Sequence, residues 1–159
     1  MRKFNLVCCG GTFDILHKGH EELLRRAFEV GDCVIIGLTT DDFVKELKKN
    51  HGSNPYSIRL KNLKNFLKKK GWIKRAKIVP LSDYGGPALF RGDIEAIIVS
   101  SETEKRAVEI NRERIRKGLK PLEIVVVKMV LAEDGEPISV TRIRRGEIDR
   151  NGRILKEES

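Results

Sequence analysis

Gly10-Gly11-Thr12-Phe13-Asp14-Ile15-Leu16-His17-Lys18-Gly19-His20 joins an apolar run, Phe4 to Cys9, to an amphipathic run, Glu21 to Val30. That order reads as strand, glycine-rich turn, helix. Such a junction gathers unpaired backbone N–H groups and the positive end of a helix dipole at one spot, which stabilises an anion, phosphate above all. His17 and His20 are three apart and share one face of the first helical turn, with Lys18 between them. Imidazoles and a lysine beside a phosphate cradle point to phosphoryl chemistry. Two commoner phosphate loops are excluded. Lys18 precedes its glycine, so there is no G-x-x-x-x-G-K-[ST], and no G-x-G-x-x-G is present.

Outward from this stretch, five apolar runs read as strands: Phe4–Cys9, Cys33–Leu38, Ala76–Leu81, Ala96–Val99 and Leu122–Val130. Most are continuous rather than alternating, as parallel strands covered on both faces should be. Between them, Glu21–Val30, Ser57–Lys70 and Glu102–Lys117 carry apolar stripes at helical spacing, and Gly31, Gly71 and Gly118 follow them. Alternating strands and helices predict an α/β, Rossmann-like open parallel sheet of five strands with helices on both faces. Ligands in such sheets sit at the carboxyl ends of the strands. A single domain is expected over residues 1–149, followed by a polar tail, 150–159. The loop-like stretch Asn50 to Tyr56, after Lys45, Lys48 and Lys49, reads as a flap near the site.

The chain has 159 residues, 40% hydrophobic and 35% charged, with a net charge of +9. This fits a soluble one-domain protein with anionic partners. No apolar run is long enough for a transmembrane helix, and Met1-Arg2-Lys3-Phe4 leads straight into the first strand, so a cytoplasmic location is expected. Cys8, Cys9 and Cys33 lack C-x-x-C spacing and read as buried small apolar residues. Lys68-Lys69-Lys70 reads as a solvated helix face.

A second cradle lies late in the chain, at Pro137-Ile138-Ser139-Val140-Thr141-Arg142-Ile143-Arg144-Arg145-Gly146. Ser139 and Thr141 offer hydroxyls at a helix start, and Arg142 and Arg144 offer fixed positive charge. Two phosphate cradles, each following a strand and opening a helix, suggest nucleotidyl transfer to a phosphorylated acceptor. That reaction needs alignment and charge stabilisation rather than a protein nucleophile. No Ser–His–Asp or Cys–His set stands out. A competing reading makes His17 and His20 zinc ligands with Asp14 as a third. It lacks H-E-x-x-H, and the remaining histidine, His51, falls in a loop.

His17-Lys18-Gly19-His20 with the upstream Gly11-Thr12-Phe13-Asp14 resembles the H-x-G-H nucleotidyltransferase superfamily, and the late segment resembles its I-S-S-T-x-I-R element. Val140 stands where that element has a second serine. The segments from Ser82 to Ala88, Ile97 to Thr103, Arg116 to Leu122 and Glu133 to Asp149 are similar to phosphopantetheine adenylyltransferases of the archaeal and eukaryotic type. The resemblance spans nearly the whole chain. It implies AMP transfer from ATP to 4'-phosphopantetheine, giving dephospho-coenzyme A and pyrophosphate.

The same resemblance implies Mg²⁺ as cofactor, bound through the ATP phosphates and by no protein side chain. His17, His20, Lys45 and Arg59 would be catalytic, with Lys48 and Lys49 as alternatives to Lys45. Nucleotide contacts would come from Gly10, Gly11, Thr12, Phe13, Gly19, His20, Ser100, Glu102, Ser139, Val140, Thr141 and Arg142. Acceptor contacts would come from Thr12, Asp14, Lys45 and Arg59, with the pantetheine arm in a groove including Phe13, Ile15 and Leu16. A monomer or small homo-oligomer is expected.

Rivals within the superfamily are a cytidylyltransferase for an alcohol phosphate and an adenylyltransferase making a dinucleotide. The former typically carries R-T-E-G-I-S-T-T, whereas Asp134-Gly135-Glu136-Pro137 stands before Ile138 here; the latter needs an aromatic platform, and Trp72 is the single tryptophan. A basic nucleic-acid-binding protein is disfavoured by aromatics at 6% that do not interleave with the basic residues.

Overall fold

The computed structural model describes residues 2–47 and 52–155. Five strands, β1 (Phe4–Gly11), β2 (Gly31–Thr39), β3 (Ala76–Leu81), β4 (Ala96–Ser100) and β5 (Glu123–Val127), form one sheet in the order β3-β2-β1-β4-β5. All neighbours are parallel. The helices are α1 (Lys18–Val30), α2 (Asp41–Glu46), α3 (Tyr56–Lys70), α4 (Glu104–Arg116) and α5 (Val140–Arg144), with single 3-10 turns at Ile73–Arg75 and Gly86–Leu89.

Consecutive strand residues feed opposite faces, as the period of two requires. Val7, Cys9, Val34, Ile36 and Ile98 pack with Leu24, Ala27 and Phe28 of α1 and with Leu63 and Leu67 of α3. Cys8, Ile35, Ile97 and Val99 pack on the other face with Ala107 and Ile110 of α4. Helices therefore cover both faces, which is why the strands read as continuous apolar runs. Pro80 lies in β3, an edge strand, where a missing N–H is tolerated. Cys33 departs from expectation: it is exposed near the start of β2, while Cys8 and Cys9 are buried.

The register explains where a ligand can enter. β1 pairs with β2 all the way to Gly11↔Leu38. Its pairing with β4 comprises Val7↔Ala96 and Cys8↔Ile97, although β4 continues to Ser100 against β5. Beyond Cys8 the sheet therefore splits between β1 and β4, at the point where strand order reverses. That is the crevice in which doubly wound sheets hold ligands.

The C-terminal segment packs further than expected. Ala132, Ile138 and Ile148 form a small third core with Val130 and Ile143. Ile148 bridges Ile154, and the Asp149 carboxylate accepts from the Asn151 and Arg153 backbone N–H groups. The Arg150 carbonyl accepts the N–H of Lys18 at 3.0 Å, and the Leu155 N–H donates to the Glu147 carbonyl at 3.0 Å, so the described part of the polar tail is bonded to the domain.

Candidate active site

His17 is the N-cap of α1, and the two histidines cap each other. Nδ1 of His17 accepts the Gly19 N–H at 3.0 Å, and Nδ1 of His20 accepts the His17 N–H at 3.2 Å. This is a capping box built from imidazoles instead of Ser and Glu. It starts the helix at Lys18, three residues before the apolar periodicity begins. The rings stack at 3.8 Å between centroids, 25° from parallel. With both Nδ1 atoms accepting, each neutral ring carries its proton on Nε2. Burial pushes the pKa of His17 down to about 4. Burial, and next the His17 charge, push that of His20 down to about 3, against the Ile15 carbonyl. Near neutral pH both are uncharged N–H donors.

Gly19 has a specific reason to be glycine. A Cβ there would stand 2.8 Å from Cε1 of His17, so the gap holds the histidine's own ring. Phe13 is the one non-glycine residue with positive φ among the described residues, at 47°. That left-handed step is uncommon for a bulky side chain and turns the chain sharply between Thr12 and Asp14. The Phe13 ring is buried beneath Gly11 and lies 5.2 Å from the His20 ring.

A cavity of about 500 Å³ opens over the split in the sheet. Gly10, Gly11, Thr12, Phe13, His17, Gly19, His20, Ser100, Glu102, Ser139, Val140 and Thr141 all line it. Thr12 is held from two sides: its hydroxyl accepts from Thr39 Oγ1 at 3.0 Å, and its carbonyl accepts from Arg59 at 3.0 Å. Glu102 is exposed in the turn before α4, which begins at Glu104 rather than at residue 102. Ser139 is the N-cap of α5, its Oγ accepting the Arg142 N–H at 3.2 Å.

Four expected site residues are placed elsewhere. Arg59 is fully buried beside the site, not at its surface. Its guanidinium donates to the carbonyls of Asn54 and Thr12, to Thr39 Oγ1 and to Asp41. Asp14 is buried and pairs with Arg144, at the edge of a second cavity of about 410 Å³. Arg142 pairs with Asp134 and Glu147, away from the cavity wall. Lys45 is exposed, whereas Phe43 and Leu47 of the same segment line the cavity. Residues i and i+4 share a helix face and i+2 points the other way, which turns Lys45 outward. Lys48, Lys49, Asn50 and His51 lie outside the described residues. Of the expected flap, Asn54 is bonded to Asp14, and Tyr56 already begins α3.

The wall also contains residues that the motifs did not indicate. Thr39 ends β2, Leu81 ends β3, and Lys128, Met129 and Val130 follow β5, which stops at Val127 instead of Val130. The strand-end rule was the available signal for all of them. Tyr84 and Arg106 complete the rim. Tyr84 lies edge-on to Phe43 at 5.3 Å, and the Arg106 guanidinium sits 4.3 Å over its ring. Ile15 and Leu16, expected in the arm's groove with Phe13, line the second cavity.

Comparison with known proteins gives the family. The cytidylyltransferase-like family model matches residues 8–146. A phosphopantetheine adenylyltransferase of Methanothermobacter thermautotrophicus is 48% identical over 155 residues, 98% of this chain and 92% of the relative. One of Pyrococcus abyssi is 45% identical over 158 residues, 99% and 100% of the two chains. Among solved structures, a protein of unknown function from Archaeoglobus fulgidus is 31% identical with a TM-score of 0.69, covering 78% of this chain and 89% of its own.

Proposed function

The chain belongs to the phosphopantetheine adenylyltransferases of the cytidylyltransferase-like family, and from that premise we propose how its residues carry AMP from ATP to 4'-phosphopantetheine. An oxygen of the acceptor's phosphate attacks the α-phosphorus. The bond to the bridging oxygen breaks, and pyrophosphate leaves. The acceptor phosphate is already an anion near neutral pH, so no side chain has to remove a proton. The protein's task is to align the two phosphates and meet the charge that shifts onto the leaving group.

The observation that carries the residue assignment is the imidazole capping box. It fixes two uncharged imidazoles, each with its proton on Nε2, in the cavity wall beside the N-terminus of α1. In our reading His17 and His20 hold the ATP phosphates, and His20 follows the charge into the transition state. Thr12, fixed by Thr39 and Arg59, receives the acceptor's phosphate. Ser100, Glu102 and the Ser139–Thr141 cradle take the nucleotide. Phe43, Leu47, Leu81 and Tyr84 offer the apolar wall that suits the pantetheine arm.

Mg²⁺ fits as a companion of the triphosphate. The site's own donors are N–H and hydroxyl groups, which suit anions, and among the described residues no three of His, Cys, Asp and Glu gather to hold a metal. Bound to the phosphates, it would supply further positive charge there. No described helix is long and apolar enough to cross a membrane. A cytoplasmic location and a monomer or small homo-oligomer are part of the same proposal.

The test is pyrophosphate release with Mg²⁺, offering ATP or CTP against phosphopantetheine, glycerol phosphate and nicotinamide mononucleotide. Turnover is expected with ATP and phosphopantetheine, with dephospho-coenzyme A as product. His20→Ala should lower kcat by roughly 10²–10³ while remaining folded. Undiminished turnover in that variant would remove the histidine from the chemistry.

A further inference from the structure

Three distant parts of the chain meet at Asp14. From α5, the Arg144 guanidinium grips both carboxylate oxygens, Nε at 3.0 Å and Nη2 at 3.0 and 2.9 Å. From the segment before α3, the Asn54 N–H donates to Oδ1 at 2.8 Å, and its side-chain amide donates to the Asp14 carbonyl at 3.3 Å. The third part is the turn that carries Thr12. The Asn54 carbonyl in turn accepts from Arg59 Nε at 2.8 Å, and Nη1 of the same guanidinium reaches the Thr12 carbonyl at 3.0 Å. A closed ring thus runs Asp14–Asn54–Arg59–Thr12, with the left-handed Phe13 linking Thr12 back to Asp14 on the turn, and Arg144 joins it at Asp14.

The path from α5 to Thr12 has little slack. The Asp14 side chain is 2% exposed and Arg59 is fully buried, so breaking either contact strands a charge away from water. The Arg144 pair is forked and charge-assisted, which fixes direction as well as distance. One end of the path is α5, whose Ser139, Val140 and Thr141 line the nucleotide side of the cavity. The other end is Thr12, on the acceptor side.

We infer that Asp14, Arg144, Asn54 and Arg59 are positioning residues that couple the nucleotide cradle on α5 to the acceptor-phosphate contact at Thr12. The coupling rests on the adenylyl-transfer reading above for its two ligands. A nucleotide that orders α5 holds Arg144, and through Asp14 and Asn54 removes freedom that Thr12 would otherwise lose on binding the acceptor. Each ligand then tightens the other by the same factor. Typical couplings of this kind are about 5- to 150-fold.

The test uses α,β-methylene-ATP, which occupies the site without releasing pyrophosphate. Amide exchange at Asn54 is followed in the wild type, Arg144→Gln, Arg144→Lys and Asp14→Asn, beside KM for each substrate. In the wild type the analogue should slow Asn54 exchange by about fivefold or more. Arg144→Gln should still bind the analogue but lose that protection, and its KM for phosphopantetheine should rise by about fivefold or more while KM for ATP moves less. Arg144→Lys should recover only part, because a point charge cannot replace the fork.

Full protection and an unchanged acceptor KM in Arg144→Gln would overturn the inference. Should that variant not fold, Asp14→Asn gives the same reading, since its amide oxygen still accepts from Asn54 while the ion pair is gone. A wild type that turns over no phosphopantetheine would remove the acceptor assignment instead. The exchange experiment needs only nucleotide, so it would still decide the coupling.

Discussion

At the scale of single residues, the H-x-G-H element is a folding device before it is a catalytic one. Its histidines close the helix N-terminus, and its glycine makes room for one of the rings. Gly19→Ala should therefore act through His17. The added Cβ would force the ring off the Gly19 N–H and expose an unsatisfied donor, a loss of about 0.5–2 kcal/mol for a broken N-cap. Activity should fall more steeply than stability, because the displaced ring also leaves the cavity. Chemical denaturation beside steady-state kinetics checks both, and wild-type values for each would show that the ring tolerates the methyl group.

The depressed histidine pKa values carry a definite sign. An unfolded chain takes up protons at an ordinary value near 6.5, whereas the folded rings resist until about 4 and about 3. Their contribution to stability is complete above 6.5 and drains away as pH falls toward those folded values. Urea midpoints measured from about pH 8 down to about pH 4 should drop less steeply for His17→Asn combined with His20→Asn than for the wild type. Parallel curves would mean that the rings do not resist protonation.

At the scale of elements, α4 is tied down by one side chain. Arg114 is fully buried, and its guanidinium donates to the carbonyls of Lys120, Ala88 and Arg91 at 2.8–2.9 Å. It staples the helix to the turn at Gly86–Leu89 and to the chain that leads into β5. Arg114→Met would take the donor from one buried and two part-buried carbonyls and should destabilise by about 3 kcal/mol or more. The effect should reach the cavity through Tyr84 and Arg106, so acceptor KM should rise with it; a thermal melt unchanged from wild type would contradict this.

Nothing in the sequence distinguished Arg114 from the surface arginines around it, because a charged residue in an amphipathic helix reads as solvent-facing. Arg59 failed in the opposite direction. The family resemblance marked it for catalysis and for acceptor contact, and the buried guanidinium bonds to the backbone of Thr12. The strands, their parallel arrangement and the two cradles were legible because they rest on local periodicity, alternation of strand with helix and turn chemistry; the strand order was not read from the sequence. The cavity's outer rim was not, since Phe43, Tyr84 and Arg106 follow three different strands and meet only after two crossovers bring those strand ends together. Lys45 shows the finer limit: a short helix had to be seen before its outward face could be known.

At the scale of the whole molecule, the two faces of the sheet give the cysteines different fates. Cys8 and Cys9 back onto opposite cores, and burial pushes the Cys8 thiol up to about 12. Cys33 meets solvent. A thiol reagent should titrate about one group in the native protein and all three cysteines after denaturation. Rapid native reaction of a second thiol would reveal opening of the sheet's centre.

That centre is also where the fold is thinnest. β3, β2 and β1 form one ribbon and β4 with β5 another, and their ladder stops at Cys8 and Ile97. A seam runs through the middle of the protein, and the cavity proposed to hold the substrates opens along it. Extending the ladder to knit the seam shut would strengthen the molecule and leave it with nowhere to work. Gly11 on one ribbon and Ser100 on the other both line the cavity, so a nucleotide held as proposed would bridge the gap and act as a part of the sheet for as long as it stays.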